Sequence, residues 1–116
     1  MADVPEVTPR ALKARIDAGE RVTLFDVREP FERELAAIEV PPGSRDLFVP
    51  VRSISEAIRD VERASGFGRV IVYCHHGVRS MSVANWLASR GHSGLENLRG
   101  GIDAWSVQVD PSVPRY

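Results

Sequence analysis

Two short, almost wholly apolar segments constrain the fold of this chain more than any other feature of its sequence. The first is VTLFDV at residues 22–27, and the second is VIVYC at residues 70–74. Both are rich in β-branched residues, and each predicts a buried strand. Segments with helical patterns separate and follow them, and such an alternation joins strands through right-handed crossovers into a mainly parallel sheet. The sequence therefore predicts an α/β fold with helices on both faces of the sheet.

The helical segments carry recognisable start signals. Residues 7–20 predict a helix with Thr8 at the N-cap, because a proline follows at the first helical position and a glycine lies near the end. Residues 53–66 predict a second, longer helix, in which Ser53 and Glu56 have the spacing of a capping box.

Length and charge limit the classes of protein to which this chain can belong. A chain of 116 residues is sufficient for one domain with its own core, and the two prolines in residues 107–116 predict an extended C-terminal tail. The formal net charge is −1, from 15 basic and 16 acidic residues, so we expect neither nucleic acid nor an anionic membrane as a partner. No apolar run is long enough to span a bilayer, and no export signal is visible. We expect a cytoplasmic location.

Cys74 is the only cysteine, and it is the last residue of the second predicted strand. An internal disulfide is therefore excluded, and any sulfur chemistry needs its second sulfur on another molecule. In the segment CHHGVRS, Gly77 permits a left-handed backbone, so that the amide groups of residues 75–80 can turn toward the sulfur as an anion-binding nest. Such an environment favours the thiolate over the thiol.

Two further groups strengthen this prediction. A helix is predicted over residues 80–91, with Ser80 at its N-cap, and the positive end of its dipole would face the sulfur. Arg79, as the last residue of the loop, would add a permanent cation with a forked set of donors.

Polar residues also follow the first strand. Ligands of parallel sheets bind beyond the carboxyl ends of the strands, and Asp26 and Cys74 both lie at such ends. We expect the two residues to border one pocket. For Asp26 and Arg28 we expect mainly a structural ion pair, with contact between Arg28 and a donor as the alternative.

Three stretches of the sequence together resemble the rhodanese (sulfurtransferase) domain. They are DVREP at residues 26–30, VIVYCHHGVRSMSVANWLASRG at residues 70–91 and GGIDAW at residues 100–105, and the resemblance covers nearly the whole chain. It implies a five-stranded parallel sheet flanked by helices on both faces, with Cys74 as the sulfur-accepting nucleophile. It also implies a donor-binding loop made of His75, His76, Gly77, Val78 and Arg79, supported by Ser80, Asp26 and Arg28.

The implied activity is a two-step sulfur transfer through a Cys74 persulfide. The donor would be thiosulfate or a persulfide, and the acceptor would be a thiol, cyanide or a sulfur-carrier protein. No organic cofactor is implied. We also expect no metal, because the adjacent His75 and His76 with one cysteine match no common ligand spacing. The two histidines would shape the pocket mouth, add partial positive charge or face solvent, and a general-base role is not required.

Several alternatives stay open. The chain could be a protein-to-protein sulfur relay module in which thiosulfate turnover is incidental, and residues 100–116 resemble the end of rhodanese domains fused to adenylyltransferases of sulfur-carrier activation. A small phosphatase or arsenate reductase is disfavoured, since four residues separate Cys74 from Arg79 and the related phosphatases carry one more. A non-catalytic binding module is disfavoured by the presence of the cysteine. Residues 36–48 lack the histidine-isoleucine-proline-glycine run that is frequent in the family, which leaves donor and acceptor preference open.

Overall fold

Five parallel strands form one sheet at the centre of the molecule. The computed structural model describes residues 3–116, and the strand order is β1-β5-β4-β2-β3. The strands are β1 (Glu6–Val7), β2 (Val22–Asp26), β3 (Arg45–Phe48), β4 (Arg69–Tyr73) and β5 (Leu95–Leu98). The two segments that were predicted as buried strands are β2 and β4, which pair directly with each other.

Helices connect these strands, and one more helix follows the last strand. They are α1 (Pro9–Asp17), α2 (Pro30–Leu35), α3 (Ile58–Phe67), α4 (Val78–Ser89) and α5 (Gly101–Gln108), and a 3-10 helix (Val51–Ala57) precedes α3. The predicted start of α1 is confirmed, because the Thr8 hydroxyl accepts a hydrogen bond from the amide of Ala11 at 3.2 Å. Among the described residues, no helix combines the length and apolar character that a membrane crossing requires.

Successive residues of the strands point to opposite faces of the sheet, and each face has its own hydrophobic core. On one face, Leu24 and Ile71 pack with residues of α1 and α5. On the other face, Phe25 and Val72 pack with residues of α3 and α4. Cys74 continues the second set, so its side chain points toward the face that α4 covers. The α/β architecture with helices on both faces is thus confirmed.

Register fixes the edge at which the site forms. Asp26 of β2 lies opposite Tyr73 of β4, and the amide of Val27 donates to the Tyr73 carbonyl at 3.1 Å. The segments that follow these two strands, at residues 27–29 and 74–77, therefore begin side by side. Asp26 and Cys74 thus lie at the same edge of the sheet, and that the two border one pocket stays a prediction.

Outside the Cys74 loop, two sequence predictions were wrong at the level of elements. The capping box of Ser53 and Glu56 is absent, because residues 51–57 form a 3-10 helix without a side-chain cap. Helix α5 extends to Gln108, so residues 107 and 108 belong to it rather than to the tail. The remainder of the tail turns back against α5, where the Ser106 hydroxyl donates to the carbonyl of the buried Val113 at 2.6 Å.

Candidate active site

The sulfur of Cys74 lies inside the turn that joins β4 to α4. The backbone amides of Gly77 and Ser80 donate to Sγ at 3.2 and 3.3 Å. The thiol donates in turn to Oγ of Ser80 at 3.3 Å. Cys74 keeps only 1% of its accessible surface, so the turn and the residues packed on it enclose the sulfur. Two of the amides that the sequence placed around the sulfur are therefore in position.

The first turn of α5 holds this loop in place through two backbone hydrogen bonds. The amides of Ile102 and Asp103 donate to the carbonyls of Cys74 and His75 at 2.9 and 3.1 Å. Because these carbonyls are bound on the α5 side, the following amides are free to face the sulfur. A side chain at Gly101 would lie 2.4 Å from both carbonyl oxygens, so the contact requires a glycine there.

Gly77 has the backbone conformation that this turn requires. Its φ of +94° is in the left-handed region that favours glycine, as the sequence predicted. It also lies against the double-glycine turn that precedes α5, since a Cβ at this position would come within 3.1 Å of the Gly100 amide.

Ser80 has a different role from the one predicted. Helix α4 begins at Val78 with Gly77 as its N-cap, so Ser80 is inside the first turn of the helix and does not cap it. Its buried hydroxyl donates to Oδ1 of Asn97 at 2.5 Å and accepts from the thiol. The amide group of Asn97 then donates to the Gly77 carbonyl at 3.1 Å, which ties β5 to the loop.

Arg79 is likewise a residue of α4 and not the last residue of the loop. Its guanidinium donates to both carboxylate oxygens of Glu32, at 2.7 and 2.9 Å. The hydroxyl of Tyr116 donates to the same carboxylate at 2.7 Å. The hydrogen bonds from Arg79, with a smaller contribution from Tyr116, lower the pKa of Glu32 to about 2. Arg79 was predicted to offer its donors to an anion at the sulfur. In the structure, both of its terminal nitrogens already donate to the buried Glu32 carboxylate.

Asp26 and Arg28 form the expected ion pair. Nε and one terminal nitrogen of Arg28 donate to the two carboxylate oxygens of Asp26, each at 2.9 Å, and both side chains are completely buried. Arg28 also donates to the Ala36 carbonyl at 2.7 Å and to the Tyr116 hydroxyl at 2.9 Å. With no exposed surface, the Arg28 guanidinium is placed to fix the chain after β2 and not to meet a ligand from solvent.

The two histidines lie at the rim of the site. The His75 ring stacks between His76 and Tyr116, with both pairs of ring centroids 3.9 Å apart. Burial lowers the pKa of His75, and the neighbouring His76 adds to this effect.

These histidines also belong to a group of side chains that could hold a metal ion. His75, His76 and Asp103 each offer a ligand atom within 4.8 Å of the others. Nε of Arg115 donates to one carboxylate oxygen of Asp103 at 2.8 Å, and a terminal nitrogen donates to the other at 3.2 Å. Asp103 is thus already paired with a cation of the chain.

Three residues of the site were missed from the sequence: Glu32, Asn97 and Tyr116. Glu32 carried a usable signal, because it sits at the third position of the short helix α2 directly after the DVREP stretch. Asn97 is a buried polar residue in the middle of a strand, but its burial was visible only in the structure. Tyr116 had no local signal, because its partners lie 84 and 88 residues away in the chain.

The fold and this site together define a class of protein: an α/β domain that presents one thiol, held by backbone amides, at the carboxyl edge of a parallel sheet. Comparison with known families gives the particular family. Residues 8–108 match the rhodanese-like domain, and the chain belongs to this family.

Individual relatives agree with this assignment. The chain is 40% identical, over 84% of its length, to rhodanese-like/PpiC domain-containing protein 12 of Arabidopsis thaliana, of which it spans only 31%. It is 33% identical to a protein of Allochromatium vinosum named sulfurtransferase, and the match covers 95% of both chains. Among solved structures, a rhodanese-related protein of Thermoplasma volcanium superposes with a TM-score of 0.73 at 28% identity, covering 97% of this chain and 99% of that one.

Proposed function

We propose that this chain is a sulfurtransferase that carries sulfane sulfur as a persulfide on Cys74. The observation that supports this most directly is the pair of backbone amides on Sγ, because such donors stabilise negative charge on sulfur in both the thiolate and the persulfide. Membership of the rhodanese-like family and the sulfurtransferase name of the Allochromatium relative support the same reaction class.

The proposed reaction has two steps. The Cys74 thiolate attacks the outer sulfur of thiosulfate or of a persulfide, and a new S–S bond forms while the donor's own S–S bond breaks. Sulfite or a thiolate leaves with the electron pair of the broken bond. An acceptor nucleophile then attacks the terminal sulfur of the Cys74 persulfide and restores the thiolate. The step requires neither a metal nor an organic cofactor.

In this proposal residues 75–79, which comprise the turn and the first two residues of α4, contact the donor, and the Ser80 hydroxyl supports the reacting sulfur. Ser80 can donate either to Asn97 or to an ionised Sγ, since a hydroxyl has one proton that rotates to suit its neighbours. Asn97 keeps two other bonds, to Gly77 and to Glu6, which hold it in place during such a switch.

A second candidate concerns the acceptor. The C-terminal segment resembles the end of rhodanese domains that are fused to adenylyltransferases, and it packs on the site through Tyr116. We infer from this that a sulfur-carrier protein is an acceptor to be tested beside cyanide and small thiols.

The test of the proposed function uses intact mass spectrometry of protein purified without reductant. We expect the wild-type chain to gain one sulfur atom from thiosulfate or from a small persulfide, and to lose it to cyanide with formation of thiocyanate. Since Cys74 is the only cysteine, Cys74→Ser should show neither event. Thiocyanate formation by Cys74→Ser at the wild-type rate would contradict the proposal, and hydrolysis of a small aryl phosphate by the wild type would favour the phosphatase alternative.

A further inference from the structure

Three metal-ligating side chains at the rim of the site come from two elements that are bonded to each other. His75 and His76 follow β4, and Asp103 lies in the first turn of α5. The amide of Asp103 donates to the His75 carbonyl at 3.1 Å, so the two backbones are joined at this point. One ligand atom of each side chain lies within 4.8 Å of the other two. We refer to these two imidazoles and one carboxylate as the rim cluster.

One ring nitrogen of the rim cluster has no partner. Nε2 of His75 is buried and forms no hydrogen bond with any residue that the structure describes. A buried polar atom without a partner is costly, and in native proteins such an atom commonly marks a bound water or ion. Turning the His75 ring would break its stacks on His76 and Tyr116. The nitrogen therefore needs a partner that the described residues do not supply.

The chemistry of the rim cluster selects the kind of partner. Two imidazole nitrogens and one carboxylate oxygen are ligands that Zn²⁺ and similar divalent transition-metal ions prefer. Mg²⁺ and Ca²⁺ prefer oxygen ligands alone, so the two imidazoles disfavour them. Three protein ligands also leave the fourth position of a tetrahedral zinc site to water or another small ligand.

Only a small movement would bring the three ligand atoms to one ion. Bonds of about 2.0–2.2 Å place the ligand atoms of a tetrahedral site about 3.4 Å apart, which is somewhat closer than in the rim cluster. The His76 side chain is exposed and free to tilt, whereas the His75 ring is held against Tyr116. The backbone bond between His75 and Asp103 already holds the other two ligand residues together.

A cation of the chain shows that the carboxylate of the rim cluster attracts positive charge. Arg115 donates to both oxygens of Asp103, at 2.8 and 3.2 Å. The Arg115 side chain is 62% exposed, and an ion pair as exposed as this one contributes little to stability. Arg115 is therefore a weak competitor for Asp103, and a dication with two further ligands has the advantage over it.

We propose that His75, His76 and Asp103 form a binding site for Zn²⁺ or a similar divalent transition-metal ion. The sequence predicted no metal here, because the third ligand lies on another element and cannot be seen in local spacing. Cys74 is not part of this site, since its Sγ lies inside the turn and accepts the amides of Gly77 and Ser80. The proposal is therefore independent of the proposed sulfurtransferase function.

Calorimetric titration with Zn²⁺ tests the proposal, with protein that carries no histidine tag. We expect one ion to bind per chain, both in the wild type and in Cys74→Ser. Co²⁺ serves as the spectroscopic probe, and in Cys74→Ser it should show the visible absorption of a four-coordinate ion without a thiolate ligand. Binding that is lost in Cys74→Ser would overturn the proposal, because the sulfur would then be a ligand.

Variants of the rim cluster test which side chains hold the ion. We expect His76→Gln and Asp103→Asn each to weaken the affinity for Zn²⁺ by roughly tenfold or more. Arg115→Gln removes the competing cation and should strengthen the affinity by roughly two- to fivefold. His92→Gln is the matched control, because His92 is the only other histidine of the chain and lies outside the rim cluster, and its affinity should equal that of the wild type.

Thermal unfolding gives a second readout, because an ion that binds only the folded chain raises its Tm. Zn²⁺ should raise the Tm of the wild type and of His92→Gln, and raise that of His76→Gln much less. Since His76 is exposed, His76→Gln is expected to fold even if Asp103→Asn does not. Wild-type affinity in His76→Gln, or equal shifts in Tm by Zn²⁺ and Mg²⁺, would overturn the proposal. Neither result bears on sulfur transfer, which the loading of Cys74 measures separately.

Discussion

At the scale of single residues, Cys74 combines the burial of a core residue with the polar contacts of a functional one. It belongs to the apolar cluster between the sheet and α4, yet its Sγ accepts two backbone amide hydrogen bonds. An inert buried thiol needs no such donors, because it behaves as a small apolar group. The combination excludes bulk water from the sulfur while supplying fixed dipoles to a negative charge.

Ser80→Ala should weaken both the fold and the sulfur site. The substitution removes the hydroxyl between Cys74 and Asn97 and leaves the buried Oδ1 of Asn97 without its donor, which we expect to cost about 1–3 kcal/mol in the free energy of unfolding. Urea denaturation measures this loss, and the rate of alkylation of Cys74 by iodoacetamide should also fall. Ser82→Ala, on the exposed side of the same helix, should change neither. Equal stabilities of the two variants would refute the bridging role of Ser80.

Sequence reasoning identified the residues of the site whose position follows from strand ends. Asp26 and Cys74 lie at the ends of apolar runs, and Gly77 lies in a short turn where a left-handed backbone was predicted. Glu32 was missed because a glutamate in a short surface helix is normally solvated, and only its contact with Arg79, 47 residues away, makes it part of the site. Ser80 was misassigned because its hydroxyl could cap a helix locally, whereas the structure begins that helix two residues earlier.

At the scale of elements, the contact between the Cys74 loop and the start of α5 determines the shape of the site. The amides at this helix terminus, which have no partners within the helix, are satisfied by the loop carbonyls. Both partners gain from this arrangement, because α5 is capped and the loop is held open toward the sulfur. The double glycine is what allows the two backbones to approach so closely.

Gly101→Ala is therefore expected to damage the loop. The position has a φ of +63°, and a methyl group there would lie 2.4 Å from two backbone oxygens. The matched control is Gly91→Ala, where φ is +92° but no atom lies within 4 Å, so that only backbone strain is introduced. We expect Gly101→Ala to cost roughly 1–3 kcal/mol more than the control in thermal or urea unfolding. A crystal structure of the variant with an unmoved loop would contradict this explanation.

The segment that precedes α3 shows why an element can be predicted with the wrong geometry. The amides of Val49 and Val51 donate to the carbonyls of Asp26 and Val27, which anchor the chain to the end of β2. Residues 51–57 then turn as a 3-10 helix, with the Ser53 amide bonded to the Pro50 carbonyl at 2.9 Å. Local spacing predicted a capped α-helix there, but the anchoring bonds come from a distant strand and are invisible in a local pattern.

At the scale of the whole molecule, the fold brings the two ends of the described chain to the same site. Glu6, at the first strand, accepts a hydrogen bond from Asn97, and Tyr116 bonds both Glu32 and the deeply buried Arg28. The strand alternation and the family resemblance were enough to predict the sheet. They could not predict these bonds, because they depend on how the tail folds back after α5.

Arg28→Met should destabilise the entire fold. It would leave the completely buried Asp26 with a single cationic contact, the longer one from Arg33 at 3.3 Å, beside the backbone amide of residue 28 at 3.0 Å, so we expect a loss of about 3–5 kcal/mol. Urea denaturation followed by circular dichroism measures this loss. Arg63→Met, which breaks an exposed pair with Asp60, is the control and should cost no more than about 1 kcal/mol. Adding Asp26→Leu to Arg28→Met should recover part of the stability, and a further loss in the double variant would contradict the explanation.

The position of Tyr116 has a practical consequence for anyone who prepares this protein. Its ring covers His75, the residue next to the nucleophile, and its hydroxyl helps to hold the carboxylate that faces Arg79. An affinity tag joined to Tyr116 would begin beside His75 and Glu32. A change in rate that the tag causes would then resemble the effect of a substrate or of a variant. Kinetic comparisons between preparations should therefore state what is joined to Tyr116.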